Sequence, residues 1–299
     1  MMTRQTQGIL GVMAAQTLLG TLGVCVVESG ADPMSVTFYR CLIGGLALGL
    51  HAAWRGRLTA LLRLPAKVLA LAFASGVLMI GNWILFFTAI EHIGIAVSTI
   101  VFHVQPFIVV LLGSFLFRER LHVATFAWIV LALAGLVLAT DIAEGGGAAG
   151  GSYLLGLACA LGGAVLYALV TLIAKGLKGI DAPQLVTIQC FCGTLLLFAA
   201  APLGPLQVTS SQWGWFLLIG LVHTGGVYFL LYGALPKLST PLAAVLLFLY
   251  PVSAILAHAV VYGHHLAPVQ YAGFVAILIA SLGVTLRWGV RSSVAVPAE

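Results

Sequence analysis

Of the thirteen lysine and arginine residues in this 299-residue chain, one, Arg40, lies inside a long apolar run. A guanidinium carries five N–H donors and does not give up its charge, so at membrane depth it costs at least ~2.5 kcal/mol unless something satisfies it. Its chemistry there would be a two-pronged grip on a carboxylate or phosphate. The structural alternative is a clamp between helices, with water, backbone carbonyls or Glu28 as partners. Other polar groups set in apolar runs are Gln16, Asn82, Trp83, His103, Gln105, Tyr167, His223, Tyr228 and Tyr250, and with Arg40 they form the candidate binding set. Counting from the ends of the runs puts Asn82, His103, His223 and Tyr250 near mid-depth. For each of these the competing reading is a hydrogen bond to a neighbouring helix, at about 0.6 kcal/mol on average. No Asp or Glu lies mid-run, so a transported proton would fall to His103 or His223, since histidine titrates in the physiological range.

Other chemistries lack their residues. There is no Walker A sequence, no GxSxG and no HExxH, so no catalytic residue and no cofactor is expected. No metal site is expected either: Cys25, Cys41, Cys159, Cys190 and Cys192 have no zinc-type spacing. Cys190 and Cys192 point about 200° apart on a helix, and the adjacent His264 and His265 fall in a loop.

The elements that must position the candidate set are ten apolar segments, at 8–28, 33–54, 68–90, 95–117, 122–140, 153–175, 182–201, 213–235, 239–261 and 266–287. Each is about long enough to cross a hydrocarbon core of ~30 Å. The composition agrees, with 62% hydrophobic and 7% charged residues, against roughly 25% charged in soluble domains. Twelve lysines and arginines occupy alternate gaps: Arg4; Arg55, Arg57, Arg63 and Lys67; Arg118 and Arg120; Lys175 and Lys178; Lys237; Arg287 and Arg291. The remaining gaps hold Glu28, Asp32, Glu91, Asp141 and Glu144 but no basic residue. Positive charge stays on the cytoplasmic side, so both termini are expected there. The basic balance is thereby explained by topology, and no nucleic-acid partner is expected. The first segment reads as a retained helix rather than a signal peptide.

Shifting the chain by 145 positions aligns 81–121 with 226–266 without a gap, with six identities that include Pro106 with Pro251. A shift of 150 pairs Pro33, Val36 and Thr37 with Pro183, Val186 and Thr187. The glycine-rich run DIAEGGGAAGGS separates the halves. The expected organisation is a first repeat over 1–140, a periplasmic linker over 141–152, a second repeat over 153–290 and a cytoplasmic tail over 291–299. Five spans per repeat force the copies into opposite orientations, an architecture of secondary transporters. The expected fold is therefore an all-α membrane protein of ten transmembrane helices in two inverted five-helix repeats. Pro106 and Pro251 should kink or loosen their helices. Small residues at Gly156, Ala160, Ala164 and Ala168, at Ala272, Ala276 and Ala280, and at Gly45 and Gly49 mark close helix contacts, within one chain or in a homodimer.

The stretches GNWILFFTAIEHIGIAVSTIVFHVQPFIVVLLGSFLFRERL and GGVYFLLYGALPKLSTPLAAVLLFLYPVSAILAHAVVYGHHL resemble the third-to-fourth span region of EamA repeats in the drug/metabolite transporter superfamily. FYRCLIGG is similar to that family's second span, with Arg40 at its recurrent arginine. The resemblance covers nearly the whole chain and implies a carrier in the inner membrane with a central cavity between its halves. Such carriers usually export amino acids or other small metabolites. Gln16 stands where the family commonly has a first-span tryptophan, a change toward different cavity selectivity. The glutamate after the fourth span is present as Glu119, between Arg118 and Arg120, and is replaced by His264 in the second copy. The implied partners are a small-molecule substrate and the lipid bilayer. A nucleotide-sugar or lipid-linked headgroup carrier, or a membrane-embedded enzyme or assembly protein, is the alternative.

Overall fold

The computed structural model describes residues 3–56, 63–117, 123–140, 151–198, 200, 207–238, 246–247, 249–263, 266–286 and 288–289. Arg57, Arg118, Glu119, Arg120, Asp141, Glu144, His264, His265, Arg287, Arg291, most of the glycine-rich linker and the 291–299 tail lie outside the described residues.

Among the described residues every regular element is helical. In chain order these are α1 (Arg4–Gly20), α2 (Leu22–Glu28), α3 (Pro33–Trp54), α4 (Ala66–Phe102), α5 (Gln105–Phe117), α6 (Val123–Thr140), α7 (Gly151–Gly176), α8 (Ala182–Leu197), α9 (Ser210–Leu217), a π-helical segment (Leu218–Gly226), α10 (Val227–Ala234), a 3-10 turn (Leu235–Lys237), α11 (Leu249–Tyr262) and α12 (Pro268–Thr285). Five stretches are long and apolar enough to cross a membrane: Arg4–Glu28, Pro33–Trp54, Ala66–Phe102, Gly151–Gly176 and Ser210–Lys237. Four shorter apolar helices accompany them. Leucines such as Leu46 and Leu50 stand 60% and 70% exposed on the outside, where hydrocarbon can cover them. The chain is a multi-pass membrane protein.

Local chemistry sets the helix starts. Asp32 and Asp181 precede Pro33 and a proline-bearing first turn, and each carboxylate accepts backbone N–H groups that a helix start leaves unpaired. Thr209 does the same for α9, with Gln212 completing a capping box. Gly151 and Ser152, at the end of the expected linker, lie in α7.

Three segments are broken: the first and the eighth, which read as uninterrupted, and the fourth, where Pro106 predicts a kink. The first divides at Thr21, whose hydroxyl donates to the Leu18 carbonyl at 2.8 Å. The eighth contains a π-helical stretch, a distortion that concentrates at functional sites. The fourth breaks at His103 and Val104, just before Pro106, whose ring cannot follow a regular preceding turn. The third and fourth segments meet at Gly94, where φ is 74° and ψ is 167°, a backbone that glycine adopts without a Cβ penalty.

Glycines allow helices to approach closely. A Cβ at Gly156 of α7 would lie 2.6 Å from Ile93 of α4, and one at Gly44 of α3 would lie 2.6 Å from Thr224 in the π segment. Gly135 and Gly273 bring α6 and α12 together in the same way. Gly45 touches Cys190 of α8, whereas Gly49 faces open space, so only half of that GxxxG pair packs within the chain. All five cysteines are free and buried, as packing residues.

Candidate functional site

A cavity of about 330 Å³ opens where α1, α2, α3, α4, α5, α7, α10 and α11 converge. Nine of the ten candidate residues line it: Gln16, Arg40, Asn82, Trp83, His103, Gln105, Tyr167, Tyr228 and Tyr250. His223 does not.

Arg40 is 3% exposed and is held by three groups, none of them anionic. Its Nε donates to Thr224 Oγ1 at 3.0 Å, and its guanidinium carbon lies 4.3 Å from the centre of the Trp83 ring and 5.9 Å from that of Phe87. Aromatic faces offset part of the cost of an interior cation, and a planar guanidinium stacks on them while its other N–H groups point elsewhere. Glu28, the carboxylate considered as a partner from sequence, instead accepts from the Tyr262 hydroxyl at 2.9 Å. The positive charge at the cavity wall is thus placed without a protein counter-ion among the described residues, the arrangement that attracts an anionic ligand group.

Gln16 supplies the complementary feature. It is 4% exposed, and its Oε1 has no hydrogen-bond partner. An unpaired buried acceptor costs about 1–3 kcal/mol, and because this oxygen has almost no exposed surface, a ligand N–H recovers that cost once the side chain turns toward the cavity.

His103 sits in the break between α4 and α5 with Nδ1 at 2.7 Å from the Thr99 carbonyl. A carbonyl only accepts, so Nδ1 carries the proton and Nε2 of the neutral ring is left as the basic nitrogen. The imidazole stacks on Tyr250, with centroids 5.6 Å apart and planes at 27°. Phe102 packs edge-on against Tyr167 at 5.7 Å and, tilted, against Phe86 at 5.0 Å, giving an aromatic wall. Asn82 Nδ2 donates to the Gly163 carbonyl at 2.8 Å, tying α4 to α7 from the cavity's edge.

His223 is buried outside the cavity lining, bridging two irregular stretches. Its Nε2 lies 2.9 Å from Thr21 Oγ1 at the α1–α2 break, and its Nδ1 lies 3.3 Å from the Leu218 carbonyl where the π segment begins. Sequence depth alone grouped it with the cavity residues; helix phase separates it, because the adjacent Thr224 takes the position that meets Arg40.

Residues missed by reading polarity are apolar: Leu19, Leu22, Phe86, Phe102 and Leu247 also line the cavity. A signal existed for two of them. Phe86 follows Asn82 by four positions and Leu19 follows Gln16 by three, spacings that share a helix face.

The EamA-like transporter family matches residues 6–140 and 154–286. The uncharacterized transporter YxxF of Bacillus subtilis is 27% identical over 287 residues, covering 95% of this chain and 90% of its own. The threonine/homoserine exporter RhtA of Escherichia coli K12 is 28% identical over 261 residues, covering 84% and 81% respectively. One solved crystal structure superposes with a TM-score of 0.64 at 21% identity, over 94% of this chain and 96% of that one, a likeness of fold. These matches make the protein a transporter with a small-molecule substrate, not an enzyme. With its cavity set among apolar membrane helices, the chain belongs to the EamA-like transporter family.

Proposed function

We propose that this protein exports an amino acid or a closely related compound across the inner membrane by alternating access. The observation that carries the reading is the pairing, in one cavity, of a cation without a protein counter-ion, Arg40, with an unpaired acceptor, Gln16 Oε1. A zwitterionic amino acid offers the two complements, its carboxylate to Arg40 and its ammonium to Gln16. Trp83 and Phe86 supply apolar surface for the rest of the molecule. A volume of about 330 Å³ is small for a nucleotide-sugar and sits at the low end of the ~300–1,000 Å³ typical of drug-sized ligand pockets. The similarity to a threonine/homoserine exporter points the same way.

Ten spans in two inverted repeats, over 1–140 and 153–290 with both termini cytoplasmic, complete the proposal. The alternating charge of the gaps and the two-part family match support it. So does the cavity lining, since Trp83 and Tyr228, Phe102 and Leu247, and Gln105 and Tyr250 stand 145 positions apart and all face the same space. In such a frame the halves rock about a shared site. His103 Nε2 is the group we assign to proton coupling, its protonated ring stabilised by the Tyr250 face.

Efflux from proteoliposomes preloaded with amino acids and nucleotide-sugars, sampled by mass spectrometry with and without a pH gradient, tests the reading. Selective loss of one amino-acid class, abolished in Arg40→Met, is the expected result. Retention of every amino acid by folded protein, or release of nucleotide-sugars alone, overturns it.

A further inference from the structure

Four threonines inside the helices bond backwards along their own helix in the ordinary way. The hydroxyls of Thr37, Thr171, Thr187 and Thr194 donate to the carbonyls of Pro33, Tyr167, Pro183 and Cys190, each four residues earlier. Thr224 departs from this pattern. Its hydroxyl donates to the Ile219 carbonyl at 3.2 Å, five residues earlier. The His223 ring does the same one position back, with Nδ1 at 3.3 Å from the Leu218 carbonyl. Five is the spacing of the π turns that run over Leu218–Gly226, so both side chains hold the backbone in that register.

The register decides what Thr224 offers to α3. With its hydrogen committed to Ile219, its oxygen is left to accept, and the Arg40 Nε–H donates to it at 3.0 Å. The carbonyl four residues back, which a regular turn would give to Thr224, is that of Gly220; it faces α3 instead, 3.2 Å from where a Cβ on Gly44 would lie. Gly44 follows Arg40 by about one helical turn, on the same face. A Cβ there would also lie 2.6 Å from Thr224, and one on Gly220 would meet Ile43 at 2.5 Å, so two glycines let α3 press against the π segment next to Arg40. His223 carries the connection further. Its Nε2 lies 2.9 Å from Oγ1 of Thr21, the residue that ends α1, the helix bearing Gln16.

From this geometry we propose that the π segment is a positioning element for the transport site, with Thr224 and His223 as its positioning residues. A guanidinium meets a carboxylate either side-on, through Nε and one Nη, or end-on, through its two Nη groups. Thr224 occupies Nε and the Trp83 ring fixes the plane, so Arg40 grips the ligand carboxylate end-on. His223 joins the segment that orients Arg40 to the helix that bears Gln16, and so sets the distance between the two ligand-directed groups. The carboxylate rests on the amino-acid reading above; the orientation of Arg40 does not.

Two measurements on the full-length protein test this. The first needs no ligand: NMR in detergent of protein labelled with nitrogen-15 at arginine Nε, the Arg40 signal being the one lost in Arg40→Met. Its Nε–H should exchange with solvent about tenfold faster in Thr224→Val than in the parent, and Thr224→Ser, which keeps the hydroxyl, should return it to the parent rate. The second is the concentration dependence of efflux from proteoliposomes preloaded with the amino-acid panel. Thr224→Val should raise the half-saturating concentration about tenfold with the maximal rate within about twofold, the split expected when binding geometry is lost and the transport cycle is not. Thr224→Ser should restore the parent value, and His223→Leu should raise half-saturation by about threefold. Unchanged Nε–H exchange in Thr224→Val, a fall in maximal rate at unchanged half-saturation, or a Thr224→Ser variant no better than Thr224→Val would each overturn the proposal. If the parent releases no amino acid, the export reading falls by itself, and the Nε–H exchange still decides the orientation of Arg40.

Discussion

The two halves of the chain, each matched by the same family, line one cavity with different chemistry. Trp83, Phe102 and Gln105 line the cavity from the first half, and Tyr228, Leu247 and Tyr250 line it from positions 145 residues later. The groups able to hold charge or take a proton do not repeat. Cys190 stands 150 positions after Arg40, Val227 stands 145 after Asn82, and Phe248 stands 145 after His103. Cys190 and Val227 are buried apolar packing residues. The first half therefore provides the cation, the unpaired amide acceptor and the imidazole, and the second provides aromatic rings with hydroxyls. The difference suits the proposed ligand: an amino acid has unlike ends, and two identical half-sites would offer the same group to both.

The comparison breaks first at Arg40. Arg40→Met should lower initial efflux from proteoliposomes at least ~100-fold, about 2.7 kcal/mol of barrier. Arg40→Lys should recover only a minor part, because an ammonium cannot both stack flat on Trp83 and grip a carboxylate with two prongs. Stability in detergent should hold or rise in Arg40→Met, since removing a buried charge without a counter-ion relieves its desolvation cost. Efflux unchanged in a folded Arg40→Met would return Arg40 to the role of a clamp on the π segment.

Tyr250 probes the second half. Tyr250→Ala removes the face on which His103 rests and should reduce efflux about tenfold, while Tyr250→Phe, which keeps the face, should stay within about threefold of the parent. Equal losses in both would place the function in the hydroxyl and weaken the division of labour between halves. His103→Gln should leave downhill efflux in place and abolish its acceleration by a pH gradient, because glutamine does not titrate. A gradient response that survives in His103→Gln and disappears in His223→Gln would move proton binding out of the cavity, to the Thr21–Leu218 bridge.

Much of this was readable from residue types. Apolar run lengths located several helices to within a few residues, as in α3 at Pro33–Trp54, because hydrophobic thickness and the Asp32–Pro33 start dictate both ends. Polarity within those runs found nine cavity residues, since a buried polar group needs a reason to be there. The positions that escaped depend on helix phase and on backbone irregularity. His223 was placed by depth, but the π segment rotates what a regular helix would present, and no residue type announces an i→i+5 turn. A second cavity, lined by Arg55 and Asp181 among others, was invisible for a related reason: these are ordinary loop-end charges until α3 and α8 bring them to one groove.

Asn82 marks the small end of the scale and sharpens what counts as site chemistry. Like Arg40 it is buried, polar and on the cavity wall, but its amide already has a partner in Gly163 of α7. That carbonyl belongs to a helix interior and keeps its helical neighbour when the side chain is removed. Asn82→Ala should therefore cost about 0.6 kcal/mol of stability, the usual value for an interhelical hydrogen bond in a membrane. Efflux should change less than about threefold, matching that energy. Reversible unfolding in detergent and initial efflux, measured on the same preparation, check both numbers. A loss of efflux as large as that of Arg40→Met at unchanged stability would mean that the amide reaches the ligand through its oxygen. The cavity would then hold three ligand-directed polar groups from the first half, with the contrast between halves deeper than Arg40 and Gln16 alone make it.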